Sequence, residues 1–111
     1  MKTEYSQFVH SRTAKEIFTD NVAQQIQHAA IGMSTESVEI LDTVKKSLWY
    51  AKPLDRQNLV EELGDVLFYA TMLMNALDVS IEDIMQANMT KLSLRYPQTF
   101  TSICFFSNTI T

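Results

Sequence analysis

The chain has 111 residues, enough for one domain, which we predict to span 1–111. With 46% hydrophobic residues and a net charge of −4, it lacks the basic excess of a protein that binds a nucleic-acid polymer. A charged N-terminus and the lack of an apolar run of about 18–20 residues argue against a signal peptide and a membrane span. The single cysteine, Cys104, excludes an intrachain disulfide, so we expect a soluble cytoplasmic protein.

The first half of the chain is predicted to form two helices. Only two glycines and two prolines occur in the whole sequence, which favours long helices over a strand-and-turn fold. We predict a first helix over roughly 4–16, and a second that starts near Thr19 or Asp20 and runs towards Ala51. The segment Gly32-Met33-Ser34-Thr35 is a candidate kink or break inside the second helix.

Two further helices are predicted after the "AKPLD" stop. Asp55 can cap a third helix that reaches about Ala76, and Ser80 with Asp83 forms a capping-box signature for a fourth that ends at Tyr96. The fold class is therefore all-α, an antiparallel bundle of about four helices. Because so small a domain carries so much apolar surface, part of that surface is expected to face a partner subunit.

The last residues, 97–111, form an uncharged tail rich in Thr, Phe and Ile. A short strand, an oligomer clasp and a disordered end all remain open for this tail.

Two pairs of acids recur at the same spacing on neighbouring helices. Glu36 and Glu39 are three residues apart, as are Glu62 and Asp65, so each pair shares one helix face. The short "YAKPLD" turn predicts that the two helices are antiparallel neighbours, so that the pairs can meet. We therefore expect the acids in the core of the bundle.

Four converging carboxylates would repel one another and would be costly to desolvate. Protonation or a bound cation would relieve that cost, and all-oxygen ligation suits Mg²⁺ or Mn²⁺. A di-iron site would use Glu-x-x-His pairs, whereas the histidines here are His10 and His28, outside both acid pairs. On the pattern alone, a metal site and an ordinary solvated acidic face remain open alternatives.

Three segments, "HAAIGMSTESVEILDTVKK", "YAKPLDRQNLVEELGDVLFYATML" and "NMTKLSLRYP", carry a family resemblance. Together they resemble the MazG-like nucleoside triphosphate pyrophosphohydrolases, the all-α NTP pyrophosphatases, whose signature is E-x-x-E followed by E-x-x-D. The resemblance covers roughly 28–97. Ser37 and Val38 depart from the Ala-Gly that relatives often carry, and the uncharged tail differs from the polar or basic tails expected there.

The resemblance implies hydrolysis of a (deoxy)nucleoside triphosphate to the monophosphate and pyrophosphate, with Mg²⁺ as cofactor and Mn²⁺ as a possible substitute. It implies a homodimer or a homotetramer, and a role in nucleotide-pool house-cleaning. Carried over by position, the metal ligands would be Glu36, Glu39, Glu62 and Asp65. The catalytic acids would be Glu62 and Glu61, and Glu61 would either support the metal ligands from behind or act as the base that orients water. The triphosphate contacts would be Asn88, Lys91 and Arg95.

The nucleobase requires an aromatic or apolar surface on which to stack. Tyr69 lies four residues after Asp65 on the same helix face, which makes it the best-placed candidate. Trp49 and Tyr50 are further candidates, with a core or interface position as the alternative for both, and Lys52 beside them could reach a phosphate or be solvated.

Two other functions remain open on the sequence alone. The chain could be a non-enzymatic helical module for oligomerisation or partner binding, in which the acid pairs are structural. It could also be a different phosphohydrolase on the same bundle, dUTPase-like or of the phosphoribosyl-ATP type. A substrate panel distinguishes this last alternative from the leading hypothesis.

Overall fold

A computed structural model of the chain describes residues 2–17 and 21–97. The described residues form four helices and no strand, which confirms the all-α fold class for this part of the chain. The helices are α1 (Glu4–Ile17), α2 (Val22–Trp49), α3 (Arg56–Leu77) and α4 (Ile81–Arg95). The predicted tail lies, beyond Pro97, outside the described residues.

Contacts divide the chain into two units, Met1–Val79 and Ser80–Thr111. The first unit contains α1, α2 and α3, and the second contains α4. That the whole chain behaves as a single domain stays a prediction. Within the described ranges, none of the helices combines the length and apolar character that a membrane span needs.

Side-chain caps determine where α2 and α3 begin. Asp55 caps α3 as predicted and accepts a hydrogen bond from the Asn58 amide at 3.1 Å. The cap of α2 is Asn21, whose side chain accepts from the Gln24 amide at 3.1 Å. The predicted cap at position 19 or 20 is therefore wrong, and both of those residues lie outside the described ranges.

The fourth helix starts with the predicted capping box. The Asp83 amide donates to the Ser80 hydroxyl, and the Ser80 amide donates to the Asp83 carboxylate, each at 3.1 Å. The hydrogen bond from the Ser80 backbone to the Asp83 carboxylate, followed by the interaction of that carboxylate with the Ser80 hydroxyl, lowers the pKa of Asp83. Because the folded-state pKa is lowered, the box stabilises α4 above the usual pKa of aspartate and is lost as the pH falls through the lowered value.

We expect Ser80→Ala to fray the start of α4, at a cost of about 1 kcal/mol to the helix. Amide hydrogen exchange in the first turn of α4 should accelerate at neutral pH, and acidification should reduce the difference from the wild type. Ser93→Ala, in the same helix but away from the cap, is the matched control and should leave that exchange unchanged. Equal protection of the first turn in Ser80→Ala and wild type at neutral pH would contradict the prediction.

The core of the first unit forms where its three helices meet. Val9 of α1, Ala29 of α2 and Met72 of α3 are each at most 1% exposed. Partly buried side chains of α3 pack against them, namely Phe68, Tyr69 and Leu73. The Asn75 side-chain amide donates to the Ser6 carbonyl at 3.0 Å, which ties α1 to α3. The core therefore lies on one side of the acid pairs rather than around them.

The candidate break at Gly32 is absent, because α2 is continuous from Val22 to Trp49. Gly32 is buried and its lack of a side chain serves packing instead. A Cβ added to Gly32 would overlap ring carbons of Tyr69, including Cγ, the ring atom that is bonded to the Cβ of Tyr69. Gly32 thus allows the Tyr69 ring to lie directly on the backbone of α2.

Large apolar side chains also occupy the outer sides of α2 and α3. On α2, Val38, Leu41 and Leu48 are 59%, 65% and 74% exposed. On α3, Val60 and Leu63 are 58% and 62% exposed. A second subunit that covers these outer sides would account for them, but the homo-oligomer stays a prediction.

Candidate active site

An antiparallel hairpin of α2 and α3 positions the acids. Close to the connecting turn, Thr43 of α2 hydrogen-bonds Glu62 of α3. Farther from the turn, Gly32 lies under the Tyr69 ring. Since residue numbers fall along α2 as they rise along α3, the helices are antiparallel as predicted. The E-x-x-E segment of α2 and the E-x-x-D segment of α3 therefore face each other between these two contacts.

The four predicted ligands interact electrostatically. Partial burial raises the pKa of the Glu36 carboxyl above its ordinary value. Repulsion from three neighbouring carboxylates raises this pKa further, and they belong, in order of decreasing effect, to Asp65, Glu39 and Glu62. The structure thus brings all four acids into one group. Their role as metal ligands stays a prediction.

The acids lie at the surface of the α2–α3 hairpin and are not in the core, which corrects the expectation from sequence. Glu36 and Glu62 are half-buried, whereas Glu39, Glu61 and Asp65 are exposed. The buried residues of α2 are Ala29, Gly32 and Thr43, and neither acid of the α2 pair is among them. Water and a charged ligand can therefore reach the carboxylates from solvent.

Glu62 is held in place by two residues that the sequence analysis did not identify. The Thr43 hydroxyl lies 3.0 Å from Oε1 and 3.1 Å from Oε2 of the Glu62 carboxylate, to which it donates. The Asn58 amide nitrogen donates to Oε1 at 2.6 Å and to the Thr43 hydroxyl oxygen at 2.7 Å. In sequence, the available signal was Asn58 one helical turn before Glu62.

The donor set of the acid group suits a hard divalent cation, since it offers carboxylate oxygens without sulfur or imidazole. The mutual repulsion that raises the pKa of Glu36 is what a cation would relieve. Among the residues that the structure describes, however, no three acid, histidine or cysteine side chains are grouped closely enough to hold one ion as they stand. The chemistry of the group fits a cation, which would be held only if the acids beside Glu62 moved closer to it.

The side chains predicted to hold the nucleobase or reach a phosphate differ in their exposure to solvent. The Tyr69 ring packs on Gly32, 5.9 Å from the His28 ring and 5.4 Å from that of Phe68. Trp49 is 77% exposed at the end of α2, about 15 Å along the helix axis from Glu39 at 1.5 Å per residue. Lys52 is exposed in the turn that follows. Of these three residues, Tyr69 is the one that packs across the hairpin, one helical turn after Asp65.

Tyr5 of α1 also interacts with the acid group, and no pattern in the sequence indicates this. Burial, followed by repulsion from the Asp65 carboxylate, raises the pKa of the Tyr5 hydroxyl. The Tyr5 ring stacks on Phe8 at 6.3 Å, and the Arg12 guanidinium lies 4.5 Å above the Phe8 ring. The first helix therefore contributes to the surroundings of the acids.

A family model, the MazG nucleotide pyrophosphohydrolase domain, matches residues 24–100. The match covers more than half of the chain and contains both acid pairs and the whole of α3 and α4. The chain belongs to the MazG nucleotide pyrophosphohydrolase family. The helix α1, with Tyr5, lies outside the matched MazG region.

Further comparisons add one similar protein. Gene 37 protein of Mycobacterium phage L5 is 35% identical to the chain over 74 residues. That alignment spans 63% of this MazG chain and 65% of the phage protein, so the chain covers slightly less than two thirds of that relative. No solved structure matches the chain.

The MazG match extends over α4, where the predicted triphosphate contacts lie. Asn88, Lys91 and Arg95 are all exposed on this helix. They belong to the second unit, which is described by itself, and their assignment to phosphates stays a prediction.

We expect Glu36→Gln to stabilise the metal-free protein and to change its pH dependence. Because the pKa of Glu36 is raised on folding, the folded state binds more protons, and stability falls as pH rises from the usual glutamate pKa through the raised one. Glutamine cannot ionise, so the variant should lack this loss. Urea unfolding in EDTA between about pH 4 and pH 8 measures it. A larger loss of stability with pH in Glu36→Gln than in wild type would contradict the expectation.

Proposed function

We propose that this MazG-family chain is a Mg²⁺-dependent nucleotide pyrophosphohydrolase. In the proposed reaction, water cleaves the anhydride between the α- and β-phosphates of a (deoxy)nucleoside triphosphate, which gives the monophosphate and pyrophosphate. The observation that carries the proposal is the grouping of the four carboxylates of the family signature across the α2–α3 hairpin, where burial and then repulsion from the other three raise the pKa of Glu36. A bound cation would relieve this repulsion and link the acids to a triphosphate.

Glu36, Glu39, Glu62 and Asp65 would hold Mg²⁺ or Mn²⁺. The bound cation would neutralise phosphate charge and make a bound water more acidic. Glu61 is exposed next to Glu62 on α3, so its carboxylate is available to accept a proton from water that enters from solvent. Phosphoryl transfer depends mainly on positioning and charge neutralisation, and these acids would supply both.

Other side chains would bind the rest of the substrate. In this proposal Lys91 and Arg95, with Asn88, contact the triphosphate, because cationic and amide groups donate hydrogen bonds to phosphate oxygens. Tyr69 packs on Gly32 and lies one helical turn after Asp65, which makes it the best placed of the proposed base contacts. Trp49 and Lys52 would contribute from the turn end of the hairpin.

A panel of NTPs and dNTPs with Mg²⁺ or Mn²⁺, with products resolved by ion-exchange chromatography, tests the proposal. We expect the monophosphate and pyrophosphate in equal amounts from one or more nucleotides, and none in EDTA. The same assay on Glu62→Gln controls for a contaminating phosphatase. Release of inorganic phosphate in place of pyrophosphate would contradict the reaction, and the panel also separates the dUTPase-like and phosphoribosyl-ATP-type alternatives.

A non-enzymatic module for oligomerisation is the second candidate function. The exposed apolar outer sides of α2 and α3 favour it, since they are a surface on which helices of another chain could pack. A folded oligomer that turns over no nucleotide with either metal would support this alternative. Homodimer or homotetramer formation fits both functions, and nucleotide-pool house-cleaning in the cytoplasm is the role we propose for the enzyme.

A further inference from the structure

We propose that Thr43 and Asn58 are positioning residues that make Glu62 offer a single oxygen, Oε2, to a divalent cation. This inference rests on the proposed function, because it assigns Glu62 to cation binding. It goes further in naming two residues that would determine how Glu62 binds, and which cation the site prefers.

The three side chains form a closed hydrogen-bonded triangle. Thr43 has one hydroxyl proton, which it donates to the Glu62 carboxylate, and its oxygen accepts from Asn58 at 2.7 Å. Asn58 has two amide protons, and the nitrogen that bears them contacts both Thr43 and Oε1 of Glu62. The one hydroxyl proton and the two amide protons are therefore all used within the triangle.

The triangle loads the two carboxylate oxygens unequally. Oε1 lies 2.6 Å from the Asn58 nitrogen and 3.0 Å from the Thr43 hydroxyl, whereas Oε2 has only the longer 3.1 Å contact with Thr43. A carboxylate oxygen has about two lone-pair sites, so Oε1 is close to saturated and Oε2 retains capacity for a ligand. Glu62 would thus bind through one oxygen.

Thr43 makes this arrangement rigid. It is 5% exposed, between the two helices, so its hydroxyl has little freedom to turn to solvent. The hydrogen bonds join α2 to α3 across 19 and 15 residues of sequence and fix the Glu62 carboxylate relative to α2, the helix that bears Glu36. Fixed carboxylate orientation lowers the entropy cost of binding an ion.

A carboxylate restricted to one oxygen discriminates between cations by size. Mg²⁺ requires near-octahedral coordination at about 2.0–2.1 Å, usually by single carboxylate oxygens, whereas Ca²⁺ takes 6–8 oxygens and accepts bidentate carboxylates. The triangle should therefore favour Mg²⁺ over Ca²⁺. Freeing Oε1 should weaken Mg²⁺ binding more than Ca²⁺ binding.

The test is calorimetric titration of the full chain, free of nucleotide, with MgCl₂ and separately with CaCl₂. Thr43→Val keeps the shape of the side chain and removes its hydroxyl, and we expect it to weaken Mg²⁺ binding by about tenfold or more. The ratio of Mg²⁺ to Ca²⁺ affinity should fall, and Thr43→Ser should restore both. Thr71→Val is the matched control: Thr71 is also 5% exposed but lies outside the triangle, so its substitution should leave the ratio unchanged.

A purely structural role predicts a different result. It would lower the unfolding midpoint of Thr43→Val while the folded variant retains wild-type Mg²⁺ affinity and the same ratio, and that result would overturn the inference. If Thr43→Val does not fold, Asn58→Ala at its half-exposed position replaces it, with the same expected fall in the ratio. If the wild-type chain hydrolyses nucleotide and both variants bind Mg²⁺ normally, this inference is refuted and the proposed function is not. Wild-type chain that neither binds Mg²⁺ nor turns over nucleotide refutes the proposed function as well.

Discussion

Glu62→Gln is expected to lower turnover by roughly 10²-fold or more while the protein stays folded. The substitution removes the charge of one predicted ligand but keeps a side-chain oxygen that can accept from Asn58 and Thr43, so the triangle across the hairpin can persist. It also removes one of the charges that raise the pKa of Glu36. The metal-free variant should therefore be as stable as the wild type or more stable.

Steady-state hydrolysis of the best nucleotide and urea unfolding in EDTA measure the two effects separately. Glu4→Gln is a suitable control, because it removes the same charge from the first turn of α1 and should change turnover little. If Glu62→Gln unfolds the chain, the acids are structural and the metal-site hypothesis fails. Undiminished turnover in the folded variant would remove Glu62 from the mechanism.

Gly32→Ala is expected to destabilise the protein by about 1–3 kcal/mol, although alanine is the better helix former. The new Cβ would overlap the Tyr69 ring, so the ring or the whole of α3 must move. Gly64→Ala is a close control, because Gly64 lies within α3 and a Cβ there meets nothing within 4 Å. That substitution should stabilise the chain by about 0.5–1 kcal/mol.

Chemical unfolding of the two alanine variants gives the comparison directly, and opposite signs are the expected result. Adding Tyr69→Leu to Gly32→Ala should recover part of the loss, since a smaller side chain leaves room for the new Cβ. Equal stabilisation by both alanines would show that Tyr69 does not pack on Gly32 as described.

The features of the fold that sequence predicted are those encoded locally. The cap at Asp55 and the box of Ser80 and Asp83 depend on residues at most three apart, and both are confirmed. The start of α2 was misplaced because positions 19–21 hold Thr, Asp and Asn in succession, and each of these can cap a helix. Gly32 was read as a breaker because its packing partner, Tyr69, is distant in sequence.

Two aspects of the candidate site could not be derived from local pattern. The acid pairs were visible because each repeats at a helical spacing, but the triangle of Thr43, Asn58 and Glu62 depends on the register between two helices. The acids were expected in the core because apolar residues surround them in sequence. Many of those apolar residues, such as Val38 and Leu63, are instead exposed to solvent.

The order of contacts along the hairpin has a consequence for how the chain folds. Thr43 and Glu62 close a short loop next to the turn, whereas Ala29 and Met72 pair at the far end and must close a much longer one. Since loop-closure entropy grows with length, we expect the hairpin to zip from the turn outward. Removal of the Thr43 hydroxyl should then slow refolding, whereas Ala29→Gly should mainly accelerate unfolding, as chevron kinetics can determine. On this route the carboxylates come together before the apolar core has formed. Their repulsion would therefore slow folding, and divalent cations would increase the folding rate by reducing that repulsion.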